Sequence, residues 1–110
     1  MPRGSHLGDL EELVLLAVLR LGRDAHGGRI REELKVLADR AVSVSTIYVT
    51  LLRLEEKGYA CSWKGEASAS RGGKAKRHYE VSPTGLEAVR AVRDARERMW
   101  QGVEGSEANV

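Results

Sequence analysis

A chain of 110 residues has room for one small domain and no second lobe. Its 42% hydrophobic and 31% charged residues exclude a disordered chain, and with no Phe, two Trp and three Tyr the core has to be mainly aliphatic. The formal charge of +2, from 18 basic and 16 acidic residues, is too small to mark a nucleic-acid binder by itself, so the distribution of charge must decide.

Residues 2–6, Pro-Arg-Gly-Ser-His, are either native or the remnant of an expression tag, and residues 1–8 are expected to be a flexible N-terminus. With one Arg and no apolar stretch, this start is no secretory signal. From Asp9 the spacing predicts a first helix, ending near Leu21 before Gly22, with Leu10, Leu13, Val14, Leu16, Ala17 and Leu19 at three- and four-residue intervals. Glu11 and Glu12 stand in its first turn, where the helix dipole favours them. Leu15, Val18 and Leu21 widen the stripe, so this helix is expected to be covered on more than one side. Its apolar run, residues 13–19, is far shorter than the roughly 20 residues that span a bilayer.

His26-Gly27-Gly28 reads as a turn before a second, amphipathic helix over residues 29–38, with Ile30, Leu34 and Leu37 inward. A third helix over about residues 44–57 is capped by Ser43 or Ser45, carries Ile47, Leu51 and Leu54 on one face and stops at Gly58. Two helices joined this way suggest a helix-turn-helix. Residues 59–64 and 78–81 alternate loosely, as two short strands do, around a long Gly-, Ser- and Lys/Arg-rich hairpin. Residues 64–78 hold five basic side chains and one acid, a net +4 that leaves −2 on the remainder. Ser82-Pro83 then opens a fourth helix with Ser as cap and Pro at its first position. Its apolar residues Leu86, Val89, Val92, Ala95, Met99 and Val103 form a stripe longer than so small a domain fills by itself.

The expected fold is mainly α with a small two-stranded β wing: a winged helix-turn-helix plus a C-terminal helix. In this order the sequence resembles the PadR family of bacterial transcriptional regulators over about residues 7–102. The resemblance is carried by Leu10-Glu11-Glu12-Leu13-Val14-Leu15-Leu16, by Gly27-Gly28-Arg29-Ile30, by Ser45-Thr46-Ile47-Tyr48 leading to Leu52-Arg53-Leu54-Glu55-Glu56-Lys57-Gly58, by residues 71–79 of the wing, and by Val81-Ser82-Pro83-Thr84-Gly85. Where the family usually shows Gly-Thr-Ile-Tyr-Pro, this chain has Ser45 and Val49 at the two ends. His26-Gly27-Gly28 likewise replaces a frequent Tyr-Gly-Tyr, and the single terminal helix is that of the short subgroup.

The resemblance implies a DNA-binding domain over residues 9–82, a dimerisation helix over 83–103 and a disordered tail over 104–110. It implies DNA contact by Ser43, Ser45, Thr46, Tyr48, Thr50 and Arg53 of the third helix, and by Arg71, Lys74, Lys76 and Arg77 of the wing. On the residues alone, the serines equally serve as caps, Tyr48 as packing and the wing as a solvated charge run. Leu13, Leu16, Leu86, Val89, Val92, Met99 and Val103 are expected at a homodimer interface. Trp100 and Met99 either pack there or stack on a small aromatic or drug-like effector. The implied function is a repressor of transcription, cytoplasmic, with double-stranded DNA and a second copy as partners and no membrane. The alternative is a winged-helix module that binds protein and no DNA. No cofactor, metal or enzyme activity is expected, since His6, His26 and His78 are far apart in sequence, Cys61 is alone, and no Gly-rich phosphate loop follows a strand.

Overall fold

The computed structural model describes residues 6–65 and 76–108. Helix α1 spans Asp9–Leu21 and is followed by a 3-10 turn, Gly22–Asp24; α2 spans Gly27–Ala38 and α3 Val44–Glu56; strands β1, Ala60–Lys64, and β2, Arg77–Val81, precede α4, Pro83–Ala108. The strands pair antiparallel from Ala60 opposite Val81 to Lys64 opposite Arg77. The Tyr79 amide of β2 also donates to the Ala25 carbonyl at 3.0 Å, which ties the wing to the link between α1 and α2.

Three helices converge because each brings one aliphatic face. Val14, Leu15, Ala17 and Val18 of α1, Ile30 and Leu34 of α2, and Ile47, Leu51 and Leu54 of α3 are buried together. Leu15, Ile30, Ile47, Leu51, Leu54 and Val14 are the largest fully buried side chains, each contributing about 2 kcal/mol of transfer free energy. Tyr59 and Tyr79 join this core, so it is aliphatic with two aromatic plugs. Leu37, predicted inward, is exposed instead: it shares the helical face of Ile30 and Leu34 but stands in the last turn of α2, beyond Leu34, where the buried strip ends.

The end of α3 and the start of α4 are locked by local hydrogen bonds. Gly58 has φ 79°, its amide donates to the Glu55 carbonyl and the Tyr59 amide to that of Leu54, so the helix closes in a Schellman turn. The Ser82 hydroxyl donates to the Gly58 carbonyl at 2.6 Å and accepts from the Gly85 amide at 3.0 Å, capping α4 while holding it to that turn.

All three acids in the first turn of α1 are used by other elements. Asp9 accepts from Arg40 at 2.8 Å, Glu11 from Lys57 at 2.7 Å and Glu12 from Arg96 of α4 at 3.0 Å. Glu11 also accepts from the Gly8 amide at 2.7 Å, and Lys57 donates to the His6 carbonyl. Leu7 is buried, so residues 6–8, expected to be flexible, are fixed against the body; residues 1–5 lie outside the described residues.

Helix α4 runs to Ala108, five residues beyond its expected end at 103, so the helix takes in most of the segment expected as a tail. A 26-residue helix is about 39 Å long. Its apolar packing against the core comes from the first half: Val89 is buried, Leu86, Ala88 and Val92 pack against the core, and every residue from 93 to 103 is exposed, with Arg96 reaching back to Glu12. The molecule is accordingly drawn out, with extents of 61 × 33 × 20 Å.

Candidate nucleic-acid interface

Ile47, Thr50, Leu51 and Leu54 point α3 into the core. At about 100° per residue, the side diametrically opposite carries Ser45, Val49, Leu52 and Glu56, flanked by Thr46 and Arg53 on one side and Tyr48 on the other. All seven are exposed. Ser43 is the cap: its Oγ accepts from the Thr46 amide at 3.1 Å and donates to Thr46 Oγ1 at 2.9 Å. Of the two serines, Ser45 therefore presents its hydroxyl outward, while Ser43 holds the first turn in place.

Thr50, predicted to reach DNA, does not. It is 5% exposed and its hydroxyl donates to the Thr46 carbonyl at 2.8 Å, which satisfies the polar group inside the helix and lets the methyl face the core. Tyr48 is half exposed, and its ring lies over the start of α2. A Cβ on Gly27 would stand 2.5 Å from the Tyr48 hydroxyl, so glycine at 27 is what allows the tyrosine this position.

The wing is tied to α3 through a chain of polar contacts. Arg77 donates to Ser62 Oγ at 2.8 Å, and Ser62 donates to Glu55 at 3.2 Å. Arg77 thus supports, within the wing, the Ser62 hydroxyl that reaches α3, as well as adding charge. Lys76 and Lys64 are exposed beside it. Arg71 and Lys74 lie outside the described residues.

His26 and His78, remote in sequence, meet: their rings are edge-to-face with centroids 6.2 Å apart, and His78 stacks on Trp63 at 5.8 Å. Burial first, then the positive charge of Lys76, holds the His26 imidazole below its ordinary pKa, against the opposing pull of Asp24. The trio braces the wing against the mouth of α2. Among the described residues no group of three His, Cys, Asp or Glu could hold a metal, and no helix is long and apolar enough to cross a membrane.

A cleft of about 400 Å³ opens between α1 and α4, lined by Leu16, Leu19, Arg90, Arg93 and Trp100 among others. Leu16, Met99, Trp100 and Val103 are exposed there or on the adjoining α4 surface. Val89, expected at a dimer contact, belongs to the protomer's own core at 4% exposure, because this first half of α4 is held down by Ser82. Leu13, Leu86 and Val92 are half-buried against that core. The stripe read as one surface divides into an inner part that fixes α4 and an outer part that is bare.

The contacts among Gly27 and Tyr48, and among Glu55, Ser62 and Arg77, were not anticipated. The helical spacing of Ile47, Leu51 and Leu54 was enough to place Val49 and Leu52 outward, but not to reveal these links between elements.

The model of the Transcriptional regulator PadR-like family matches residues 15–91. Among solved structures, a PadR family transcription regulator from Clostridium difficile superposes with a TM-score of 0.70 at 19% identity, covering 92% of this chain and 99% of that one. A padr family transcriptional regulator from Eggerthella lenta has a TM-score of 0.65 at 25% identity, over 88% of this chain and 84% of its own. The ORC1 protein of Aeropyrum pernix, solved in complex with DNA, is similar over 81% of this chain and 24% of that protein, at 23% identity and a TM-score of 0.56. No curated protein matches the chain by sequence.

Proposed function

This chain belongs to the PadR-like family of transcriptional regulators, and we propose that it is a sequence-specific DNA-binding repressor, cytoplasmic, acting as a homodimer on a pseudo-palindromic operator. The observation that carries this reading is the outward face of α3, where Ser45, Thr46, Tyr48 and Arg53 stand exposed around a helix whose other side is the core. Hydroxyls donate to phosphate oxygens, and a guanidinium reaches a guanine edge or a phosphate from the major groove. The wing, joined to α3 through Ser62 and Glu55, carries Lys76 and Arg77 exposed, as charges for the adjoining backbone. That the ORC1 protein, with a similar domain, was solved with DNA supports the same use here.

Replacing Lys74, Lys76 and Arg77 together by Ala tests this directly. Affinity should fall, and the slope of log affinity against log salt should flatten by about 2 to 3 for each protomer bound. A variant that keeps the wild-type slope would favour a protein-binding role for the domain. Gly27→Ala tests the helix: the new methyl must displace the Tyr48 ring, a movable side chain, so stability should stay within about 1 kcal/mol. DNA affinity should drop about tenfold, the worth of a charge-assisted hydrogen bond. Equal affinities would remove Tyr48 from the contact.

The bare outer part of α4 supports dimerisation through Met99 and Val103 together with Leu16 of α1. Two-fold symmetry would then set half-sites about 34–36 Å apart, one turn of DNA. Trp100, 57% exposed beside the cleft, suits a small aromatic effector whose stacking would change the angle between protomers and release DNA. Quenching of its fluorescence by such a compound, abolished in Trp100→Ala, is the expected result; release of DNA with Trp100 undisturbed would place the effector elsewhere.

A further inference from the structure

The middle of the outward face of α3 is aliphatic, an unusual choice for a surface so far from the core. Val49 is 50% and Leu52 59% exposed, one turn apart and directly opposite Ile47 and Leu54. Neither has a donor or acceptor, so neither can bind a phosphate or read the polar edge of a base. The one base-edge feature in the major groove that an aliphatic side chain recognises is the C5-methyl group of thymine. The polar residues on the flanks, Thr46 and Arg53 on one side and Tyr48 on the other, can hold the backbone and leave this strip facing the base edges.

We propose that Val49 and Leu52 are specificity-determining residues that select thymine methyl groups within each half-site. The inference rests on the DNA-binding reading above and adds what the helix reads. An aliphatic strip gives no preference for a base by hydrogen bonding, so the code at these positions is methyl against no methyl. In a homodimer the strip acts twice, and the selected thymines recur with the two-fold symmetry of the operator.

The test uses the full chain to enrich duplexes from a random 30-base-pair library, after which the enriched duplex is synthesised with thymine or with deoxyuridine, which lacks only that methyl. Wild-type protein should bind the deoxyuridine duplex more weakly, by about fourfold for each thymine methyl that the strip would otherwise cover. Val49→Ala and Leu52→Ala, both at exposed positions that leave the core untouched, should bind the two duplexes with a correspondingly smaller difference. Equal binding of both duplexes by the wild type, with enrichment intact, overturns methyl readout and leaves DNA binding standing. A thymine preference unchanged in both variants overturns the assignment to these residues. Failure to enrich any duplex overturns the DNA-binding reading and this inference with it.

Discussion

Gly85→Ala should lower stability by about 3 kcal/mol, the upper end of what overpacking costs, with a fall in Tm of more than about 10 °C. A Cβ at this position would lie 2.1 Å from the Tyr59 carbonyl oxygen and 2.9 Å from its carbon. These are backbone atoms, and they cannot swing aside. The Tyr59 carbonyl is fixed by the Ser82 amide at 3.0 Å, and the Tyr59 amide closes the Schellman turn at the end of α3. Inserting a methyl therefore pushes the whole first turn of α4 off the body and pulls the Ser82 hydroxyl from Gly58. Gly102→Ala is the control: nothing lies within 4 Å of its Cβ, and the change from glycine to alanine inside a helix should raise stability by up to about 1 kcal/mol. Thermal unfolding at one protein concentration checks both, and a wild-type Tm for Gly85→Ala would contradict the close approach of α4 to Tyr59.

Lys57→Met should cost about 3 kcal/mol in urea unfolding at pH 7, because it strands the Glu11 carboxylate at 9% exposure. Glu11→Gln should cost less, since an amide oxygen can still accept from Gly8 and Lys57. The pair spans the start of α1 and the end of α3, so it adds an ionic link to two helices that share the aliphatic core. Burial is the largest single influence on Glu11 and pushes its pKa up; the Lys57 hydrogen bond, the Gly8 amide and the charges of Lys57 and Arg53 outweigh it and hold the pKa below the ordinary glutamate value. A lowered folded-state pKa means that the unfolded chain takes up the proton first. The stabilisation is complete above the unfolded pKa of about 4.3 and disappears as pH falls from there through the folded value. Lys57→Met should therefore lose less stability than the wild type on acidification over that range. A wild-type acid profile in this variant would show that the pair is not coupled to folding.

Much of the architecture was legible from periodicity. The spacing of Ile47, Leu51 and Leu54 fixed the inner face of α3, Ser82-Pro83 marked the start of α4, and the strands fall within two residues of their expected bounds. What escaped was tertiary in origin. Thr50 reads as a polar, outward residue until its hydroxyl is seen to be satisfied by Thr46. The acids Asp9, Glu11 and Glu12 read as favourable charges at a helix start, although their partners Arg40, Lys57 and Arg96 come from three other parts of the chain. Gly27 and Gly85 read as ordinary turn or helix-start glycines, because the Tyr48 ring and the Tyr59 carbonyl that require them arrive from elsewhere in the fold. The uniform stripe of α4 likewise gave no sign of where its protomer contacts stop and its bare surface begins.

The charge of the chain carries the same lesson. A total of +2 conceals a basic wing of +4 set against a remainder of −2. The contacts from Arg77 to Ser62 to Glu55 fasten that wing to the helix whose outward face is proposed to enter the groove.

Sequence-specific DNA binding by α3 and the wing of a dimer can be measured without any variant. The affinity of the intact protein is determined, across a series of salt concentrations, for the DNA upstream of its own coding sequence and for random DNA of the same length. One dimer should bind per site, with a marked preference for the upstream DNA at physiological salt and a slope matching roughly six to ten phosphate contacts. Equal, weak binding to both DNAs at physiological salt would contradict sequence-specific recognition by this fold.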